Sequence, residues 1–187
     1  MPEYQIDEGL RQEYEAIKGR YLAQGHIIAI KECATEVFDL PLGAMLEACG
    51  VTGCTPIEYL SPNYDAAAPG NDKIAGKMIG VETAKGRRAV ILMRRDYPSE
   101  MHPAFVTACK VCVLYHELGH AHDFNEGINF RHRERGYNAE KAEAYADAFA
   151  QEKLKKIKCV KIVNGKKVPT TLWDWYRQSR YRGEFVS

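Results

Sequence analysis

The stretch from Pro103 to Asp123, PAFVTACKVCVLYHELGHAHD, decides how the rest of the chain is read. Proline is pre-set for the first turn of a helix and lacks the N–H that would go unbonded there, so Pro103 opens one. Phe105, Val106, Cys109, Val113, Leu114 and Leu118 carry it on at helical spacing, and so apolar a helix is predicted to be buried. His122 and Asp123 are read as its exposed end, with hydrogen bonding near the site as the other reading. Within the helix stands His116-Glu117-Leu118-Gly119-His120, an H-E-x-x-H motif. The i, i+4 spacing puts both imidazoles on one face, one turn apart, where two neutral rings can chelate a Zn²⁺ ion. Glu117 stands beside the first ring, in place to act as a general base on a water at the metal. Ionisable groups on a buried helix are costly without partners, so the segment predicts that partners exist.

Downstream, Asn138 is predicted to cap a second helix, AEKAEAYADAFAQEKLKKI, with Ala142, Tyr145, Ala146, Phe149 and Leu154 on its apolar face. A catalytic zinc takes three protein ligands and keeps a fourth position open, and a second helix packed on the first can supply the third. Glu140 and Glu143 both qualify by type. Only Glu143 has an aspartate four residues on, Asp147, which shares its face and can accept the second ring N–H of a ligand histidine, fixing its tautomer. Ala142 and Ala146 leave room for the close helix approach this requires. Cys109 and Cys112 form a C-x-x-C inside the apolar helix, but with no β-α-β context they read as core packing.

HELGH, followed 23 residues after His120 by E-x-x-A-D at Glu143 to Asp147, resembles the gluzincin class of zinc metallopeptidases with its HExxH plus ExxxD pattern. Within that class EAYADAFA is similar to the ImmA/IrrE-like cytoplasmic proteases and, less specifically, to the core of Ste-type CAAX proteases. YHELGHAHDF is similar to zincin-fold bacterial effector and toxin proteases. The resemblance spans about residues 105 to 152. It implies a zincin-like minimal metalloprotease domain of α+β class, with a small twisted sheet, an active-site helix and a third-ligand helix. It implies one Zn²⁺ per chain held by His116, His120 and Glu143, with Glu117 as general base and Asp147 in support. The implied activity is zinc-dependent endopeptidase hydrolysis of a protein or peptide substrate. It also implies an exposed edge strand in the region of the hairpin at 77 to 94, to which extended substrate adds, with the cleft below residues 87 to 95. Tyr137 and His132, in the loop RHRERGYN, are the nearest donors for a transition-state oxyanion, and Tyr137 is taken as a catalytic candidate.

Upstream, Lys77 to Thr83 and Arg87 to Arg94 read as a hairpin across Ala84-Lys85-Gly86. Residues 51 to 76 are rich in proline and glycine and read as a loop, of which 61 to 73 is a candidate gate over the cleft. IIAIKECATEVFDLPLGAMLEACG, starting at Ile27, reads as helix interrupted near Pro41 and ended at Gly50. Ile6 to about Gln24 reads as an amphipathic helix. The whole chain, 1–187, is taken as one domain: a helical part over 1–60, the sheet and catalytic helices over 77–152, and a basic part over 153–187.

The chain has 45% apolar residues, enough for a core, and 26 Lys and Arg against 25 Asp and Glu, so overall charge selects no partner. No apolar run is long enough for a membrane span, the start MPEYQIDEGL is unlike a secretory signal, and six cysteines are too few for a disulfide scaffold. A cytoplasmic protein with reduced thiols is expected; secretion as an effector by a route without a classical signal is compatible with it. From Lys153 to Arg182, however, ten basic residues face one acidic, Asp174. With CVKIV-NG-KKV as a hairpin and LWDWYRQSRY as a short helix, this region has the composition of a surface for nucleic acid or an acidic partner. The favoured reading is plainer: solvated lysines, with tryptophans anchoring the tail. The alternative function is a zinc-containing, protease-like module that binds nucleic acid or protein through this region.

Overall fold

The computed structural model describes residues 8–23, 28–57, 75–129 and 138–181. In chain order the elements are α1 (Glu8–Ala23), β1 (Ile28–Cys33), a 3-10 turn (Thr35–Asp39), α2 (Leu42–Ala48), β2 (Thr55–Ile57), β3 (Gly76–Thr83) and β4 (Gly86–Arg94). Then follow α3 (Pro103–Glu126), α4 (Ala139–Leu154), β5 (Lys158–Val163), β6 (Lys166–Thr171) and α5 (Leu172–Tyr181). The architecture is α+β. One sheet has the order β1-β4-β3-β2, and β5 and β6 pair only with each other.

The expected hairpin is present, with Thr83 opposite Gly86 across a turn at Ala84 and Lys85. On β4, Ala89, Ile91 and Met93 face the core shared with α1 and α3, while Val90 and Leu92 face Phe38, Met45 and Leu46. Burial on both faces explains the unbroken apolar run of β4, as for any interior strand. β1 lies parallel to β4, from Ile28↔Ala89 to Cys33↔Arg94, and β3 lies antiparallel on its other side. β4 is therefore not the expected exposed edge strand, since both its edges are paired, while β2 covers β3 only from Gly80 to Glu82.

Two further readings are corrected. Residues 28 to 33 are strand, not helix, because Ile28 and Ile30 alternate into the core and the pairing with β4 outweighs the helix propensity of Ala29, Lys31 and Glu32. Helix begins only behind Pro41, as α2. Residues 55 to 57, inside the expected loop, form β2 on the sheet edge, where Pro56 needs no donated hydrogen. The candidate gate at 61–73 lies outside the described residues.

α1 turns Leu10, Tyr14 and Ile17 into the core at the expected spacing. α3, 24 residues long, lies across the sheet, opened by Pro103 behind His102, whose Nδ1 accepts from the Ala104 N–H at 3.2 Å. It runs past the expected end to Glu126, and Gly127, at φ +68°, closes it. Asp123 is accordingly buried, not at an exposed end. The Asn138 side chain caps α4 by accepting from the Lys141 N–H at 3.0 Å, as expected. α5 seats Leu172, Trp173, Trp175 and Tyr176 in the core, so the tryptophans do anchor this end of the chain. No described helix is long and apolar enough to cross a membrane.

Candidate metal centre

α3 and α4 cross closely where α3 carries Gly119 and α4 carries only the methyl of Ala146. A Cβ on Gly119 would stand 2.6 Å from the Ala146 Cα and 3.0 Å from its carbonyl oxygen, so only glycine fits. Ala142 and Ala146 are fully buried at the same interface. Further along, the buried Asp123 carboxylate accepts from the Asn129 N–H at 2.8 Å and from Asn129 Nδ2 at 2.9 Å. Asn129 Nδ2 also reaches the Lys141 carbonyl at 3.4 Å, tying the end of α3 to the first turn of α4.

This crossing brings His116, His120 and Glu143 together. Each offers one ligand atom, and the three atoms lie within 4.8 Å of one another. His116 Nε2 is 3.2 Å from one Glu143 carboxylate oxygen and His120 Nε2 is 3.1 Å from the other. His116 Nδ1 is 3.0 Å from Asp147 Oδ1. Of the two glutamates, Glu143 stands in the cluster, and Glu140 is exposed and outside it. Both imidazoles are buried, whereas the Glu143 side chain is 47% exposed, so the cluster is open on the α4 side.

The electrostatics follow from this crowding. Burial disfavours a charged His116, yet the hydrogen bonds to Asp147 and Glu143 and the nearby charge of Glu117 outweigh it and push its pKa up to about 9. Burial likewise opposes ionisation of Glu143, but hydrogen bonds from both imidazoles hold its carboxyl well below the usual carboxylate range. Ring nitrogen and carboxylate oxygen at 3.1 to 3.2 Å need a proton or a cation between them. A ring N–H from each histidine supplies such a proton, and with Asp147 also engaging Nδ1 this favours the charged form of His116. A divalent cation satisfies the same groups without the proton, and neutral imidazoles with an ionised carboxylate are the forms that bind metal. The donor set therefore fits a metal ion.

Glu117 is buried next to His116 but is not one of the three converging groups. Its side chain lies against the start of β3, where a Cβ on Gly76 would come within 3.2 Å of Glu117 Cγ and 2.6 Å of Val113 Cγ1. Asp147 also lines a cavity of about 570 Å³ between α4 and α5, with Gln151, Trp173, Tyr176 and Arg177. Tyr137 and His132 lie outside the described residues. Cys109 and Cys112 are buried in the core, and all six cysteines are free.

The sequence reading missed Gly119 and the Asp123–Asn129 link. The signal for the first was available, since glycine inside a helix is unfavourable by about 1 kcal/mol unless close packing requires it. Asp123, three residues beyond His120 on the same stripe, carried a weaker one. No family model matches this chain, and no curated protein or solved structure matches it either. The likeness to gluzincins thus rests on the motif residues themselves.

Proposed function

We propose that this protein is a zinc-dependent endopeptidase of gluzincin type, with a zincin-like fold, acting on a protein or peptide substrate. The supporting observation is the convergence of His116 Nε2, His120 Nε2 and the Glu143 carboxylate, with Asp147 on His116 Nδ1. Two imidazoles and one carboxylate are a donor set suited to catalytic zinc, with a fourth position left for the reactant. His116, His120 and Glu143 would hold a zinc ion there, and it would supply Lewis acidity toward water and a carbonyl. Asp147 holds the His116 ring in the tautomer whose Nε2 lone pair faces the site. Glu117, beside His116, takes the proton released as water attacks and returns it to the leaving amine. Substrate approaches from the α4 side, where Glu143 is exposed. Six free cysteines agree with a reducing, cytoplasmic setting.

Elemental analysis of untagged protein, alongside Glu143→Ala, Glu140→Ala and Glu117→Gln, tests this reading. One zinc per chain is expected in the wild type, Glu140→Ala and Glu117→Gln, and none in Glu143→Ala. Cleavage of an unfolded protein substrate should fall about 10²- to 10⁴-fold in Glu117→Gln. No zinc in the wild type after reconstitution would refute the reading, as would undiminished cleavage by Glu117→Gln.

A further inference from the structure

The metal centre makes no use of the most basic part of the chain. Between Lys153 and Thr171 the sequence carries seven lysines and no acidic residue. Lysines in such numbers are commonly a solvated helix face, but most of these stand on or beside a ribbon. β5 and β6 pair with no other strand among the described residues and are closed by Asn164-Gly165, both with positive φ, as a two-residue hairpin turn requires. Directly opposed residues of an antiparallel pair share a face. The register therefore places Lys158 and Lys167 on one face, and Lys161 and Lys166 on the other. Lys158, Lys166 and Lys167 are exposed, as are Val163 and Val168 near the turn. Lys155 and Lys156 are exposed at the base. Glu152 approaches Lys153 and Lys156, and Lys161 reaches Gln178; among the described residues no carboxylate pairs with Lys155, Lys158, Lys166 or Lys167.

We propose that the β5–β6 ribbon is a binding site for duplex DNA, entering the major groove with its turn leading. Shape and charge point to the same partner. A groove presents phosphates on two walls, and this ribbon carries lysines on two faces. The B-form major groove, about 12 Å wide, admits a two-stranded ribbon. A-form RNA does not, because its major groove is too narrow for side chains to enter. An acidic protein surface or an anionic membrane would engage one face and leave the other pair of lysines unused. Lysine, valine, threonine and proline on the ribbon favour phosphate contact over base readout, so binding is independent of sequence. The inference stands apart from the proteolytic reading and needs none of its residues.

The test is fluorescence anisotropy of a labelled mixed-sequence DNA duplex of about 20 base pairs, titrated with the full chain over a range of salt. The three exposed ribbon lysines, Lys158, Lys166 and Lys167, on phosphates predict a slope of log K against log salt of about −3. Lys166→Glu/Lys167→Glu should weaken binding at least about tenfold, and Lys166→Gln/Lys167→Gln should make the slope shallower by about 2, with zinc content and thermal unfolding unchanged in both. The neutral pair keeps the outcome independent of how the acidic pair folds. Absence of saturable binding, a slope unmoved by either variant, equal affinity for an RNA duplex, or tighter binding to polyglutamate or anionic vesicles would each overturn the proposal.

Discussion

The α3–α4 crossing and the β5–β6 ribbon are both dense in charge, yet they handle it in opposite ways. At the crossing, His116, His120 and Asp123 are buried against Glu143, Asp147 and Asn129, so removing one of these partners leaves a buried polar group in a medium that solvates it poorly. On the ribbon, lysines stand in water, and a single substitution changes little because solvent replaces whatever it loses. The buried charges act as individuals with fixed geometry, whereas the exposed ones act only as a sum.

That contrast predicts a graded set of outcomes. Gly119→Ala should destabilise the protein by about 3 kcal/mol in urea unfolding, because the new methyl meets backbone rather than a side chain that can turn away. Helix propensity alone predicts a gain of about 1 kcal/mol, so the sign decides whether the close crossing is real. Asp147→Asn should leave the fold intact and lower metal affinity about 10- to 100-fold, read by competition with a chromogenic chelator. Unchanged affinity would remove Asp147 from its supporting role.

A third outcome separates the two regions by pH. His116 is raised from 6.5 to about 9 in the metal-free protein, so its contribution to stability is complete below pH 6.5 and fades as pH rises through about 9. The Tm of chelator-stripped protein should therefore fall over that window, while zinc-loaded protein, whose His116 is already deprotonated, should show no such fall. A flat profile for the stripped protein would break the link between charge and burial. The smallest effect is expected on the ribbon, where Lys166→Ala should shift stability by no more than about 0.5 kcal/mol in the same urea assay.

How much of the molecule is legible in its sequence depends on how local the determining chemistry is. α3 and α4 are legible because Pro103 and Asn138 mark their starts and the motif spacing needs only the helical period. The hairpins are legible from their turns, Ala84-Lys85 and Asn164-Gly165. β1 is not, because its composition suits a helix and its identity comes from a partner far along the chain. β2 hides behind Pro56, which is harmless only at an edge that the sequence does not reveal. At the site, the ligands and Asp147 could be chosen by spacing. The crossing that unites them left a signal too, in Ala142, Ala146 and the helical Gly119, but how close the two backbones come shows only in the packed structure.

The same parallel pairing of β1 with β4 closes a longer loop than the meeting of α3 and α4. Cys33, at the end of β1, donates to the Met93 carbonyl 60 residues away, whereas His116 and Asp147 are 31 residues apart on helices that follow one another. Closing the longer loop costs more chain entropy and belongs to the slower part of folding. The helical pair carrying the proposed ligands closes the shorter loop, and an ion captured there would hold α3 and α4 in register.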